Sequence, residues 1–140
     1  MGLLTFCLEG EIKMHYASLI ILIDNRGRGL TLKRSSHSSF PSQWGLPGGR
    51  AEEGEEDWET ALRELREETE IEISKDHLNP LIQIYSRDKF FHFFWAKCEA
   101  PEVKLDSEHT DWLWIPKDEL KEVISIPTDE AVWDALKAVK

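Results

Sequence analysis

The chain has 140 residues, a length that suits one domain with its own hydrophobic core. Hydrophobic residues make up 41% of it and include six tryptophans and six phenylalanines, which excludes a disordered chain. The net charge of −10 argues against non-specific binding to nucleic acid or to an anionic membrane surface. We therefore predict a single domain over residues 1–140, with neither nucleic acid nor a membrane among its partners.

The cysteines and the N-terminus bear on the cellular compartment. Cys7 and Cys98 lack metal-ligand spacing, and two cysteines do not form a disulfide scaffold. No stretch approaches the ~20 apolar residues of a membrane span. The N-terminus lacks the basic start and the long apolar region of a signal peptide. These features favour a cytoplasmic protein with reduced thiols.

The first third of the chain reads as strands separated by turns. Within residues 1–15 the sequence predicts an extra N-terminal strand or hairpin. Residues 16–23 are apolar and β-branched, which is typical of a buried strand. A turn follows at residues 24–27, and residues 29–34 alternate like a returning strand. Residues 35–42 are polar and contain a proline, so we predict a loop.

Residues 55–70 have the composition and the periodicity of a helix with two distinct faces. An apolar stripe with i, i+3, i+4, i+7 spacing is expected to face the core: Trp58, Ala61, Leu62, Leu65 and Thr69. Three carboxylates, those of Glu64, Glu67 and Glu68, gather roughly a third of a turn away.

Carboxylates at i, i+3 and i+4 repel one another, which costs helix stability when nothing lies between them. A divalent cation turns this repulsion into coordination, because hard cations take oxygen ligands. The preceding Gly48-Gly49 allows a tight turn beside the helix N-terminus, where phosphate groups are favoured. The pattern indicates a metal site for a phosphorylated substrate; a merely solvated acidic face is the alternative.

The second half of the chain supplies more strands and two helices. Residues 81–86 and 90–98 predict an antiparallel pair, and the aromatic residues of the second run are assigned mainly to the core. A short strand is predicted at residues 112–115, followed by a helix over residues 117–123. Thr128 is the expected N-cap of a final helix that extends to about Val139.

Residues 48–71 resemble the Nudix box, Gly-x5-Glu-x7-Arg-Glu-U-x-Glu-Glu-x-Gly-U, in which U is an aliphatic residue. Eight residues fall on this motif in register: Gly49, Glu55, Arg63, Glu64, Leu65, Glu67, Glu68 and Ile71. One position departs, because Glu70 stands where the family has glycine. A left-handed residue often ends a helix there, and a non-glycine residue in that conformation costs about 1 kcal/mol.

The resemblance implies an α/β fold, namely a Nudix-type α/β/α sandwich with a mixed β-sheet, one central catalytic helix and a C-terminal helix. It also implies Mg²⁺ as the cofactor, with Mn²⁺ as a substitute. The implied metal ligands are Glu64, Glu67, Glu68 and a backbone carbonyl at Gly48 or Gly49. Glu108 resembles the family's glutamate on the loop before the final strand, which is either a further metal ligand or the general base; a solvated loop carboxylate is the alternative.

The resemblance assigns catalysis to Glu64, Glu67, Glu68 and Arg63. Glu67 or Glu68 is expected to orient or deprotonate the attacking water, with Glu108 and Glu55 as competing bases. Arg63 is expected to pair with a carboxylate such as Glu55 and to fix its orientation.

Three cations are the predicted substrate contacts, namely Lys33, Arg34 and Arg50. The resemblance associates a basic residue at the end of the second strand with phosphate or nucleotide. For Lys33 and Arg34 the alternative is that they are solvated charges at a strand end.

The implied activity is Mg²⁺-dependent pyrophosphohydrolysis of a nucleoside diphosphate-linked substrate, with a nucleoside triphosphate giving monophosphate and pyrophosphate as the leading case. Dinucleoside polyphosphate hydrolysis is an alternative, for which Tyr85 lies at a similar distance past the box. A non-catalytic nucleotide sensor is another, although sensors of this kind usually lose the box glutamates. The N-terminal segment leaves a homodimer open.

Overall fold

The computed structural model describes residues 15–140, so the predicted strand or hairpin of residues 1–15 lies outside the described residues except for His15. The described part forms seven strands: β1 (His15–Ile23), β2 (Arg28–Arg34), β3 (Trp44–Gly45), β4 (Gly48–Arg50), β5 (Asn79–Ser86), β6 (Lys89–Lys97) and β7 (His109–Pro116). It also forms three α-helices: α1 (Asp57–Thr69), α2 (Leu120–Val123) and α3 (Glu130–Lys137). Short 3₁₀ turns lie at Lys75–His77 and Lys117–Glu119.

The seven strands form one mixed sheet with β1 at its centre. β1 runs parallel to β6 along its whole length and antiparallel to β4 at residues 17–19. β5 pairs antiparallel with β6, while β2 pairs antiparallel with both β3 and β7. Near the end of β1, Ile23 pairs with Gly29 of β2. The predicted mixed sheet is confirmed.

The alternating side chains of β1 build a core on each face of the sheet. Ile20 and Leu22 pack in the cluster that contains Ala61 and Leu65 of α1. Ile21 and Ile23 pack on the opposite face with residues of α3, among them Val132, Trp133 and Leu136. Full burial of an aliphatic side chain of this size stabilises the fold by about 1.5–3 kcal/mol. The predicted α/β/α sandwich is confirmed.

Helix α1 has a defined start and end. At its start the Glu56 N–H donates to Oε1 of Glu59 at 2.8 Å, the backward half of a capping box. At its end Glu70 adopts the left-handed conformation with φ of 61°, and its N–H donates to the carbonyl of Arg66 at 2.8 Å. A glutamate therefore occupies the left-handed position that the motif assigns to glycine.

Several predicted boundaries differ from the structure. β3 and β4 were not predicted, because a two-residue and a three-residue strand leave too little sequence for a pattern. β7 has eight residues rather than four, and residues 117–123 form a 3₁₀ turn before one turn of α-helix. The N-cap of α3 is Asp129 and not Thr128, because Oδ1 of Asp129 accepts from the Ala131 N–H at 2.8 Å while the Thr128 hydroxyl donates to the Ile126 carbonyl.

Among residues 15–140 no helix has the length and apolar character that a membrane crossing requires. Nδ1 of His92 on β6 lies 2.8 Å from Oδ2 of Asp57. This pair ties the sheet to the first residue of α1. A second tie comes from the Ser18 hydroxyl, which donates to the Asp57 carbonyl at 2.8 Å.

Candidate active site

Strand β4 and helix α1 approach each other closely at two glycines. A Cβ at Gly49 would lie 2.4 Å from Oε2 of Glu64, so the carboxylate rests against a backbone that carries no side chain. A Cβ at Gly48 would lie 2.3 Å from the backbone oxygen of Ser18. The Gly48 N–H donates to Oε1 of Glu68 at 3.1 Å. The glycine pair is therefore required by close approach, and it brings two helix carboxylates against the sheet.

Glu64 and Glu68 form a largely buried carboxylate pair on successive turns of α1, with 17% of the Glu64 side chain exposed. Glu68 is 6% exposed. Burial raises the pKa of Glu64, with the Arg63 charge acting in the opposite sense. Burial, followed by the Glu64 charge, raises the pKa of Glu68 well above its ordinary value, against the effect of the Gly48 N–H. The pair is therefore unfavourable when both carboxylates are ionised and nothing positive lies between them.

Glu67, the third predicted ligand, is more exposed than Glu64 and Glu68. Its side chain is 52% exposed, and its Oε1 accepts from Nη1 of Arg63 at 3.1 Å. Within residues 15–140, no three His, Cys, Asp or Glu side chains are grouped so that they would hold a metal ion as they stand. The structure thus brings Glu64 and Glu68 together, and Glu67 lies on the solvent side, where it shares Nη1 of Arg63 with Glu64.

Arg63 organises the surrounding carboxylates. Its Nε and Nη2 contact the two oxygens of Glu55 at 2.5 and 3.1 Å, so the expected pairing with Glu55 is present and is bidentate. Its Nη1 donates to Glu64 and Glu67, each at 3.1 Å, and its Nη2 also donates to the Arg50 carbonyl at 3.0 Å. The hydrogen bond from Arg63 is the main cause that lowers the pKa of Glu55 to about 2. Both partners are therefore charged throughout the neutral range.

The three cations predicted to contact substrate have different surroundings. The Arg34 guanidinium donates to the backbone and the hydroxyl of Ser39, the latter at 2.9 Å, and so braces the loop of residues 35–42. Lys33 is half-buried in β2 between Trp44 and Asp111 of the neighbouring strands. Arg50 is exposed at the end of β4, beside Arg63. Arg50 is thus the least encumbered of the three.

The loop that carries Glu108 is tied to the last turn of α1. The Lys104 N–H donates to the Thr69 carbonyl at 3.0 Å, and the Asp106 N–H donates to the Glu68 carbonyl at 3.3 Å. Oδ1 of Asp106 accepts from the Glu108 N–H at 3.2 Å and lies 2.8 Å from Nδ1 of His109. The Glu108 side chain is exposed, whereas His109 is buried.

Asp106 and His109 were not among the residues predicted from the sequence. No motif contains them, and their contacts depend on how β7 meets α1. The available signal was local: an aspartate side chain often accepts from the N–H two residues ahead, which marks a turn at Asp106-Ser107-Glu108.

The chemistry of the buried pair fits a divalent cation. Hard cations such as Mg²⁺ prefer carboxylate and carbonyl oxygens. Two adjacent carboxylates with little exposure to solvent repel each other, and a positive charge between them stabilises both. The bare backbone of Gly49 leaves the Glu64 carboxylate unobstructed by a side chain from β4.

Comparison with known proteins shows the family to which this chain belongs. The NUDIX domain model matches residues 13–136. The asymmetrical bis(5'-nucleosyl)-tetraphosphatase of Caenorhabditis elegans is 32% identical over 93 residues, which cover 61% of this chain and 65% of that protein. The Rattus norvegicus protein of the same name is 33% identical over 109 residues, covering 72% and 73%. The nucleoside triphosphatase NudI of Escherichia coli (strain SE11) is 28% identical over 113 residues, covering 71% and 80%. The chain thus spans just under two thirds of the length of the worm protein.

Solved structures agree on the fold. A MutT structure from work on Aliivibrio salmonicida and Vibrio cholerae superposes with a TM-score of 0.73 at 20% identity, covering 89% of this chain and 98% of that one. A Caenorhabditis elegans Ap4A hydrolase binary complex gives a TM-score of 0.68 at 22% identity, covering 88% and 95%. At these identities the likeness establishes the architecture alone.

Proposed function

Because this chain belongs to the Nudix hydrolase family, we propose that it hydrolyses a phosphoanhydride bond of a nucleoside diphosphate-linked substrate. Family members generally use divalent metal ions, and we propose Mg²⁺ here, with Mn²⁺ as a substitute. The leading substrate is a nucleoside triphosphate, cleaved to a monophosphate and pyrophosphate. The observation that carries the proposal is the buried Glu64–Glu68 pair, held against Gly48 and Gly49.

Glu64, Glu67, Glu68 and a backbone carbonyl at Gly48 or Gly49 would hold the cation. When bound, it supplies neutralisation of the phosphate oxygens and a more acidic attacking water. Glu67 is suited to a mobile role, because its side chain is half-exposed and, among residues 15–140, its carboxylate is held only by Arg63. Arg63 keeps Glu55 and Glu64 in fixed orientations as Glu67 turns toward the site.

In the proposed step, the oxygen of a water molecule attacks phosphorus and the bond from phosphorus to the bridging oxygen breaks. The water's proton passes to a carboxylate, for which Glu67, Glu68, Glu108 and Glu55 compete. Glu55 is the weakest base of these candidates in geometry and charge, because both of its oxygens are occupied by Arg63 and its pKa is about 2. With a nucleoside triphosphate, attack on the α-phosphorus expels pyrophosphate and attack on the β-phosphorus expels the nucleoside monophosphate, and both routes give the same two products.

Phosphate contact is proposed for Arg50, Lys33 and Arg34. Arg50 is exposed, and its backbone carbonyl accepts from Arg63, which bonds the carboxylates of the site. Arg34 would have to release Ser39 before it could bind a phosphate, so its use implies movement of the loop of residues 35–42.

Dinucleoside polyphosphate hydrolysis is the second candidate. The names of the worm and rat relatives favour it. Tyr85 adds a structural reason, since its ring is 56% exposed and lies 4.9 Å from the ring of Phe90, ready to stack on a nucleobase. A non-catalytic sensor is less favoured because the box glutamates are intact. The cytoplasmic location and a homodimer remain predictions, tested by cell fractionation and light scattering.

The deciding experiment is a substrate panel with Mg²⁺ and the pure protein: nucleoside triphosphates, dinucleoside polyphosphates and nucleotide sugars, with products identified by mass. Glu67→Gln runs alongside as the contamination control. Monophosphate and pyrophosphate from one triphosphate, absent with Glu67→Gln, support the leading substrate. Preferential cleavage of a dinucleotide supports the second candidate. Binding without turnover across the panel overturns the enzymatic proposal in favour of a sensor.

A further inference from the structure

One oxygen atom organises the loop that carries Glu108. Oδ1 of Asp106 accepts from the Glu108 N–H at 3.2 Å and from Nδ1 of His109 at 2.8 Å. The His109 side chain is 3% exposed, so the Asp106–His109 contact is shielded from solvent on the imidazole side. An interaction of this kind fixes the direction in which the next residues leave the turn.

The same loop is fastened to the catalytic helix and to β2. The Asp106 N–H donates to the carbonyl of Glu68, and the Glu108 carbonyl accepts from the Ser35 N–H at 2.8 Å. Glu108 therefore lies on a short bridge between the turn of α1 that bears Glu68 and the end of β2. His109, the next residue, opens β7 and pairs with Arg34.

We infer that Asp106 is a positioning residue, whose side chain holds Glu108 at a fixed place relative to Glu68. The inference rests on the proposed function, in which Glu108 serves as a metal ligand or as the general base. Asp106 does not contact substrate in this role. It acts through the Glu108 backbone, with the buried His109 ring holding the Asp106 carboxylate from the other side.

A purely structural role is the alternative, and the chain allows the two to be separated. Both accepted hydrogen bonds go to the same oxygen, Oδ1. Asparagine retains that oxygen and loses the charge, whereas alanine loses both. The backbone bonds from Lys104 and Asp106 to α1 do not involve the Asp106 side chain, so they remain available in every variant.

The test compares Asp106→Ala, Asp106→Asn, Glu108→Gln and the double variant Asp106→Ala/Glu108→Gln. Lys104→Ala is the matched control, because it removes an exposed side chain from the same loop. Two quantities are measured for each: kcat and KM on the substrate identified by the panel, and the Kd for Mn²⁺ from the relaxation of water protons. Urea unfolding gives the stability of every variant.

If Glu108 is the general base, we expect Asp106→Ala to lower kcat at least tenfold with KM changed less than threefold. If Glu108 is a metal ligand, we expect Asp106→Ala to weaken Mn²⁺ binding at least threefold. Asp106→Asn restores most of the loss because it keeps the oxygen, and Lys104→Ala matches the wild type. In the Glu108→Gln background, Asp106→Ala has no further effect, since there is no carboxylate left to position.

Equal losses in Asp106→Ala and Asp106→Asn overturn the inference, and so does an equal loss from Asp106→Ala in the wild-type and Glu108→Gln backgrounds. Unchanged kcat and unchanged Mn²⁺ affinity in Asp106→Ala also overturn it. If the wild type turns over no substrate, the proposed function fails, and the Mn²⁺ measurements still decide the role of Asp106. If Asp106→Ala does not fold, Asp106→Ser takes its place in the cycle.

Discussion

The Glu55 carboxylate lies across two nitrogens of the Arg63 guanidinium, with Oε2 2.5 Å from Nε and Oε1 3.1 Å from Nη2. Glu55 comes from the loop before α1 and Arg63 from the second turn of that helix. Further bonds reach the same carboxylate from the Glu52 N–H at 2.9 Å and the Thr60 hydroxyl at 2.7 Å. The two oxygens of Glu55 thus accept from four donors. The fixed Glu55 carboxylate in turn fixes the Arg63 guanidinium, whose Nη1 donates to Glu64 and Glu67.

This arrangement predicts a dependence of stability on acidity. The pKa of Glu55 is about 2 in the folded protein against an ordinary value of 4.5, so the folded state favours the charged form. Its stabilisation is fully present above pH 4.5 and is lost as the pH falls toward 2. The difference of 2.5 between the two pKa values corresponds to at most about 3.5 kcal/mol at about 1.4 kcal/mol for each pH unit. We expect Glu55→Gln to lose part of this amount at pH 7.

Urea unfolding of wild type and Glu55→Gln at pH 7, 5, 4 and 3, without metal, measures the effect. The free energies of unfolding should converge as the pH falls, because the wild type gradually loses what the variant never had. Glu53→Gln is the control, since Glu53 is exposed on the same loop. A constant difference between wild type and Glu55→Gln from pH 7 to pH 3 would contradict the assignment.

The close approach at Gly49 predicts a loss of activity from a single methyl group. In Gly49→Ala the new Cβ meets the Glu64 carboxylate at 2.4 Å, so that side chain must move. We expect kcat to fall at least tenfold while the protein stays folded, because the displaced group is the end of a flexible side chain. Combining Gly49→Ala with Glu64→Gln separates the mechanisms, since the methyl group should add little once the carboxylate is gone. Additive losses in the double variant would show that Gly49→Ala acts elsewhere.

The sequence predicted the long helix, the central strand and the Arg63–Glu55 ion pair of the site. The helix of residues 57–69 and the central strand follow from periodicity, which is local, and the Arg63–Glu55 pair was implied by the resemblance to the Nudix box. The left-handed conformation at Glu70 was also predictable, because it belongs to one helix end.

Other features depend on contacts between distant segments. β3 and β4 form because residues 44–45 pair with β2 and residues 48–50 pair with β1. This pairing is between distant segments, so a short sequence pattern does not predict it. The direction of the Glu67 carboxylate is decided by Arg63, and helical spacing alone predicted three converging ligands. The bracing of Ser39 by Arg34 likewise depends on how residues 35–42 fold back on β2.

The buried pair predicts opposite effects of one substitution on stability and on metal response. Burial and the adjacent Glu64 charge raise the pKa of Glu68, so its ionised form destabilises the metal-free fold at neutral pH. Glu68→Gln removes that charge and keeps an oxygen for the Gly48 N–H, so we expect a higher Tm than wild type in EDTA. Mg²⁺ should raise the Tm of the wild type and barely affect the variant.

Turnover completes this test, since Glu68→Gln is expected to lower kcat by several orders of magnitude while folding stays intact. Glu72→Gln, a change at an exposed glutamate beyond the helix, provides the control for charge alone. The metal assignment would be wrong if Mg²⁺ stabilised Glu68→Gln as strongly as the wild type. A lower Tm for the variant in EDTA would contradict the electrostatic argument.

The end of α1 offers a route to higher stability without a change in the site. Glu70 has a φ of 61°, a conformation that costs a residue with a Cβ about 1 kcal/mol, and its carboxylate lies at the negative end of the helix dipole. We expect Glu70→Gly to raise the free energy of unfolding by about 1 kcal/mol, as read from urea titration, with kcat changed less than twofold. Glu70→Ala removes the same charge and keeps the Cβ, so it should recover only the electrostatic part, a few tenths of a kcal/mol. Equal gains from glycine and alanine would assign the whole effect to charge. A loss of stability in Glu70→Gly would mean that glycine's added conformational freedom in the unfolded chain outweighs the relief of backbone strain at this position.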